Sequence, residues 1–457
     1  MDDAFNPSYY NTVDQIYHAR WSVAKLGRLA LLRRSVEMLW PQGHPTRLIQ
    51  VAGTSGKGST CRFLEAGLAC LGKAGAFLGP HLFDYRERFS IDGTAVTQDA
   101  VTQVWETTVK PHLIELALEN EQHLPTFHEV NILMALALFD QQQVDWAAIE
   151  TGVGGRYDQA TALEVVATAL TNVGRDHEHL LGPLPWQRAL DKAGVVRQGV
   201  PLFSSAQDDP TRQILAAVCR DQNAPLHTIA QPEVDQLDQL IAAAMEQALP
   251  PEALLTSEHQ RWNAALSLAV LRTLFPEIDP AQVIRRMLAV RFVGRFWQVA
   301  AGVYADIAHN PEKLAALAGE LTQKFSASGK IFVVGVSGKR SAVANLAPLV
   351  PVAKAIIVTG VAFKGQELQL VKKEVESIRA DIPVLFIAES QQAVTVAQAM
   401  RHATDIIILT GSTYMIDQLL NPDPYLQTIN ATWGWRARQD TPVEGTLQFI
   451  LPRPPER

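Results

Sequence analysis

The 457 residues are 47% apolar and 19% charged, a balance that supports a packed core and excludes a largely disordered chain. Lys and Arg number 40 against 47 Asp and Glu, a net charge of −7 with no basic block, which argues against a general nucleic-acid binder. Cys61, Cys70 and Cys219 lack metal spacing and read as free thiols in a reducing compartment.

Along the chain, Met1 to Asn6 is acidic and lacks the apolar core of a secretory signal. Apolar spacing predicts a helix over 13–39. A short strand, Arg47-Leu48-Ile49-Gln50-Val51, then runs into Gly53-Thr54-Ser55-Gly56-Lys57-Gly58-Ser59-Thr60, and a helix follows through Cys70. Strand, glycine turn and helix form the context of a phosphate loop. Glycines let backbone N–H groups approach phosphate oxygens, and the helix N-terminus adds partial positive charge. Lys57 is placed for the outer phosphates, and Ser59 or Thr60 for a magnesium ion. Gly58 separates the lysine from the hydroxyl residues, unlike the commoner spacing.

Gln98 to Glu121 and Thr126 to Phe139 are predicted helices, and Val144 to Ile149 and Val165 to Leu170 buried strands. The first of these strands ends in Glu150, followed by Thr151-Gly152-Val153-Gly154-Gly155-Arg156. A carboxylate at a strand's carboxyl end lies where open α/β sheets bind ligands. The second leads to Thr171-Asn172-Val173-Gly174-Arg175-Asp176-His177, where Asp beside His suits metal ligation or phosphate contact. Lys192 reads on its own as an ordinary helical lysine.

Residues 206–258 lack clear strands and are expected to be helices and connections of the first domain, with Pro250-Pro251 among them. Four apolar runs, at 331–334, 355–358, 384–387 and 406–409, alternate with helix-length spacers and predict a doubly wound second domain beginning near Val293-Gly294-Arg295. Residues 421–457 carry no strong period and read as a tail. No apolar run reaches the roughly 18 residues that span a bilayer. A cytoplasmic α/β enzyme with no membrane or nucleic-acid partner is therefore the expectation.

Taken in order, these motifs resemble the folylpolyglutamate synthase and dihydrofolate synthase family of the Mur ligase superfamily. The resemblance rests on Val51-Ala52-Gly53-Thr54-Ser55-Gly56-Lys57-Gly58-Ser59, Pro80-His81-Leu82, Pro125-Thr126-Phe127-His128-Glu129, Glu150 to Arg156, Asp176-His177 and Lys192-Ala193-Gly194. It continues through His259-Gln260 with Asn263, Gly294-Arg295-Phe296, Asp306 with Ala308-His309-Asn310-Pro311, and Gly411-Ser412 with Tyr414.

The resemblance implies a phosphate-loop ATPase domain with a parallel sheet over 1–294, a smaller Rossmann-like glutamate ligase domain over 295–420, and a tail over 421–457. It implies a monomer that uses ATP and Mg²⁺ to join L-glutamate to a folate or pterin carboxylate through an acyl phosphate. Residues 53–60 and Lys57 would hold the phosphates, with Asn263, Arg295 and Asp306 on the nucleotide. Ser59, Glu150 and His177 would ligate the metal. Lys57, His177, Lys192 and His309 are the candidate catalytic groups, Lys192 matching a lysine that becomes carbamylated. His81, Thr126, Phe127, Glu129 and Ser412 would contact substrates, with 126–129 near the pterin. The chain departs from the family pattern at Gly79, where a serine is usual, and at Arg175, where an apolar residue is usual. A Mur-type ligase acting on a different carboxylate, and an ATP-binding homologue without activity, remain alternatives at this point.

Overall fold

Two parallel-dominated sheets organise the chain, and their central strands are short, largely apolar runs buried on both faces. The computed structural model describes residues 6–18, 27–120, 123–245, 253–338, 341–375 and 381–436, side chains of 179 and 431–436 excepted. Pro250-Pro251 and the tail beyond 436 lie outside the described residues.

The first sheet comprises β1 (Arg47–Ala52), β2 (Ala74–Phe77), β3 (Phe89–Ile91), β4 (Thr94–Ala95), β5 (Trp146–Glu150), β6 (Ala167–Leu170), β7 (Leu202–Ser204) and β8 (Leu226–Thr228). Their order is β4-β3-β2-β5-β1-β6-β7-β8. The six strands from β2 to β8 in that order are parallel, and β3 and β4 add antiparallel at one edge. In register, Val51 faces Glu150 and Ala52 faces Leu170. The carboxyl ends of β5, β1 and β6 are therefore neighbours, and whatever follows them is gathered at one edge of the sheet.

The second sheet comprises β9 (Trp297–Ala300), β10 (Val303–Ala305), β11 (Lys330–Gly335), β12 (Ala355–Thr359), β13 (Val384–Ile387) and β14 (Ile406–Thr410), in the order β13-β12-β11-β14-β10-β9. Only β9 runs antiparallel. The four runs expected from sequence are β11 to β14. The β9–β10 hairpin was not expected, because its alternating, half-exposed pattern at 297–300 carries no apolar run.

The described residues divide into two units: 6–245 with Glu258–Val290, and 253–257 with 291–436. Residues 253–257 thus belong with the second unit, whereas the sequence places them in the first. Within 206–258, β8 is a strand that sequence reading missed, being three residues long with polar His227 and Thr228. The helix expected over 13–39 is two helices, Pro7–His18 and Arg28–Leu39, with Gly27 in left-handed conformation at the start of the second. A helix also opens the expected tail, Pro424–Arg436. Gln427 and Asn430 tie it to Asp417 and Gln418 of the preceding helix. No helix among the described residues is long and apolar enough to cross a membrane.

Candidate active site

The loop after β1 is shaped by residues that follow β6. Asn172 Oδ1 accepts the N–H groups of Thr54 (3.2 Å) and Ser55 (2.9 Å), Thr171 Oγ1 donates to the Ser55 carbonyl (2.6 Å), and the Gly174 N–H donates to Thr54 Oγ1 (2.9 Å). Gly53 and Gly56 have positive φ, 144° and 83°, and a side chain on either would strike Thr171 or Asn263. Glycine is needed at both for conformation and for space. The helix Lys57–Leu68 then begins, Gly56 supplying its left-handed start.

Lys57 Nζ donates to the Gly53 carbonyl (3.2 Å) and lies 4.0 Å from Glu150 Oε1. Ser59 and Thr60 are both buried. Glu150, at the end of β5, is also held by the Gly79 N–H, which donates to Oε2 over 2.9 Å. At Gly79 the backbone itself orients the carboxylate, so a serine side chain is not required for that task.

Asp176 and His177 follow β6. His177 is in left-handed conformation (φ 52°), uncommon for a non-glycine residue, and its Nε2 lies 3.8 Å from Asp176 Oδ1. Among the described residues no three His, Cys, Asp or Glu side chains cluster as a metal cage. The set offered is open: one buried carboxylate, one buried hydroxyl, and an imidazole on the neighbouring loop. Such a set fits Mg²⁺, which keeps waters and takes oxygens from substrate phosphates.

Lys192 is buried, 3% exposed, near the end of the helix Pro185–Ala193. Burial, reinforced by the nearby Lys57 charge, lowers its ammonium from the ordinary 10.5 to about 8. The turn after Glu150 docks here. Asp191 Oδ1 accepts the Gly155 N–H (2.9 Å), the Asp191 carbonyl accepts the Arg156 N–H (2.8 Å), and a Cβ on Gly155 would lie 2.7 Å from the Lys192 carbonyl oxygen. Gly194 meets Arg156 in the same way. Gly155→Ala is therefore expected to cost about 1–3 kcal/mol through forced separation of the two segments, read by denaturant unfolding.

Three segments far apart in sequence, at Tyr17, at 81–88 and at Phe127, pack into one aromatic cluster. Arg88 Nε donates to His81 Nδ1 (2.8 Å), which leaves Nε2–H to meet Tyr17 Oη (2.5 Å). The Arg88 guanidinium lies 5.6 Å from the Phe127 ring centroid, and Tyr17 packs edge-on against Phe127 and Tyr85. His128 Nε2 lies 3.9 Å from Asp158 Oδ1, against Gly152. Glu129 is not available to a substrate: it is 1% exposed and bound by Arg28. Its second task is a capping box, in which Thr126 Oγ1 accepts the Glu129 N–H (3.3 Å) and Glu129 Oε2 accepts the Thr126 N–H (2.5 Å). The Thr-x-x-Glu spacing signals this box in the sequence alone. Thr126→Ala is expected to cost about 1 kcal/mol of stability by thermal unfolding, with Thr126→Ser near wild type.

Asn263, in the first unit, is buried against Gly56 and donates to Gln260 Oε1 (3.2 Å). In the second unit, Asp306 follows β10 and accepts the N–H groups of Phe296 (2.9 Å) and Ala308 (2.8 Å). Burial raises its carboxyl pKa, opposed by Arg295. Arg295 lies over the Phe292 ring. His309 Nδ1 meets the Ile307 carbonyl (2.8 Å), leaving Nε2 toward Lys313 Nζ at 3.5 Å. Asn310 caps the next helix. Ser412 is fully buried, 3.2 Å from Ser337 Oγ, and caps the helix Thr413–Leu420. The structure gives it a capping role rather than an exposed hydroxyl.

A family model described as Mur ligase, glutamate ligase domain, matches residues 294–413. The dihydrofolate synthase/folylpolyglutamate synthase of Bacillus subtilis is 27% identical over 416 residues, 86% of this chain and 95% of that one. Other curated relatives are longer, and the chain spans about half their length. The bifunctional folylpolyglutamate synthase/dihydrofolate synthase of Yersinia pestis, solved with AMPPNP and a manganese ion, is 26% identical with a TM-score of 0.73, covering 89% of this chain and 95% of that one. The Mycobacterium tuberculosis folylpolyglutamate synthase bound to ADP shares the fold at 23% identity, TM-score 0.79, over 91% of this chain and 99% of that one.

Proposed function

Because the chain belongs to the folylpolyglutamate and dihydrofolate synthase family of Mur ligases, we propose that it uses ATP to join L-glutamate to the carboxylate of a folate or pterin acid. The observation that carries this reading is the gathering of the glycine loop with Lys57, Glu150 and the Asp176-His177 loop at the ends of three adjacent strands, β5, β1 and β6.

Two anions, the acceptor carboxylate and the γ-phosphate, must meet in the first step, so positive charge and oriented N–H groups are needed at that point. Loop amides and Lys57 bind the phosphates. The carboxylate oxygen attacks the γ-phosphorus, ADP leaves, and an acyl phosphate forms. The glutamate amine then attacks the acyl carbon, loses a proton, and phosphate leaves with the oxygen that came from the acceptor. A magnesium ion held by Ser59, Glu150 and His177 would neutralise phosphate charge. Lys192 is proposed to be carbamylated: its neutral amine adds carbon dioxide and releases a proton, turning a cation into an anion. The lowered ammonium and close burial support this, since the neutral amine is populated near pH 8.

The wall of Tyr17, His81, Arg88 and Phe127 suits a flat heteroaromatic acid. Residues 1–294 are proposed to carry the phosphate and acceptor machinery. Residues 295–420 are proposed as the glutamate ligase part. The test is ADP release from MgATP and L-glutamate with dihydropteroate, tetrahydrofolate or neither. Release that requires both glutamate and a pterin is expected. Release with glutamate and a different carboxylic acid, but with no pterin, would contradict the pterin assignment and leave a Mur-type ligase.

A further inference from the structure

We propose that Arg188 is a positioning residue for the metal and phosphate site, holding the Asp176-His177 loop in its binding conformation. This rests on the functional reading given above. Arg188 lies on the helix Pro185–Ala193, one turn before Lys192, and is 2% exposed. It is cationic and buried, so its charge must be met by acceptors.

Those acceptors are placed at both ends of one loop. Arg188 Nε donates to the Gly174 carbonyl (3.0 Å), where the loop leaves the sheet. Arg188 Nη1 donates to the carbonyls of Gly182 (3.2 Å) and Pro183 (2.8 Å), where the loop enters the helix, and approaches Glu178 Oε1 at 3.5 Å. Asp176 and His177 lie between these anchor points. The same Gly174 residue donates its N–H to Thr54 of the phosphate loop. One guanidinium thus stands a single residue away from the phosphate loop while closing the loop that carries His177.

His177 needs such support. Its left-handed backbone is a conformation that persists only where the surroundings impose it. The turn after it is built on its own carbonyl, which accepts the N–H groups of Leu180 (2.8 Å) and Leu181 (2.9 Å). Without the guanidinium, three carbonyls at the loop ends lose their donor and the turn is free to open. A lysine has no planar fork and cannot bridge Gly174 and Pro183 together. The helix that carries Arg188 also carries Lys192, so the arginine sets the spacing between the metal loop and that amine.

The experiment is Mn²⁺ titration of the full chain with AMPPNP, free Mn²⁺ being read by electron paramagnetic resonance. Arg188→Met is expected to raise the apparent Mn²⁺ dissociation constant by about tenfold or more. Arg188→Lys should fall between wild type and Arg188→Met. In turnover, the metal KM should rise by more than kcat falls. Millimolar guanidinium should restore part of the Mn²⁺ affinity of Arg188→Ala, an effect that a general loss of stability would not show. If Arg188→Met does not fold, Arg188→Lys and the guanidinium rescue decide. Wild-type Mn²⁺ affinity in folded Arg188→Met or Arg188→Lys, or absence of rescue in folded Arg188→Ala, would overturn the proposal while leaving the functional reading in place. Failure of the wild-type chain to bind Mn²⁺ with AMPPNP would overturn both.

Discussion

Lys57→Ala is expected to abolish ADP formation while the protein stays folded. The side chain is only partly buried and its bonds are to two loop carbonyls, so little packing is lost with it. Its charge has three consequences. It is the cation proposed to meet the phosphates, and removing one such group from a charge-developing step costs on the order of 10²–10³ in turnover, about 3–4 kcal/mol. It is a partner of Glu150 at 4.0 Å, so the carboxylate loses that positive charge. It also helps to hold the Lys192 ammonium down, so its loss moves that group back toward its ordinary value and disfavours the carbamate. ADP release, with circular dichroism as the control for folding, checks this. Normal turnover in the variant would remove Lys57 from the phosphate site.

Lys192 gives the second large effect, and its two readouts move in opposite directions. Lys192→Ala should be inactive, with short carboxylic acids such as acetate restoring part of the activity by occupying the place of a carbamate. Full activity without added acid would remove the carbamate from the mechanism. For stability, the folded-state value of about 8 lies below the ordinary 10.5. Below pH 8 the amine is charged in both states, and folding bears the full cost of burying it. Between pH 8 and 10.5 the folded state sheds its proton first, and that cost declines. In buffer depleted of carbon dioxide, Lys192→Met should therefore be more stable than wild type at pH 7, by up to about 3 kcal/mol, with the gain shrinking as pH rises past 8. Denaturant unfolding at pH 7 and pH 9.5 reads both. A less stable Lys192→Met at pH 7 would contradict the buried-cation account.

What the sequence made legible follows from range. The phosphate loop is local, since strand, glycines and helix start lie within a dozen residues, and it could be read from them alone. Glu150 and His177 were legible as groups at strand ends, because a run of buried apolar residues followed by a polar turn announces its own edge. The strands β1, β5 and β6 of the first sheet and β11 to β14 of the second were visible for the same reason. The strands β2, β3, β4, β7, β8, β9 and β10 were not, being only two to four residues long.

Contacts that bridge long stretches of chain left no local trace. Arg28 and Glu129 are 101 positions apart, and only the fold shows that the glutamate is spent on the arginine and the helix cap rather than on a substrate. Asn172 sits in a quoted motif, yet its hold on the Thr54 and Ser55 amides spans more than 100 residues. The N–H of Gly79 on Glu150 is similarly long-range, and a backbone donor carries no sequence signature at all. Ser412 differs: a serine before a helix is a cap signal in its own right, and weighing it as such would have anticipated its burial.

The central claim is amide formation through an acyl phosphate, and isotope transfer tests it most directly. Dihydropteroate or tetrahydrofolate labelled with oxygen-18 in the acceptor carboxylate is turned over with MgATP and L-glutamate, and the released phosphate is analysed by mass spectrometry. The account predicts one labelled oxygen in each phosphate, accompanied by a product heavier by one glutamyl residue. Product formed with the lost labelled oxygen appearing in water and none in phosphate, or phosphate released with no amide product, would contradict it.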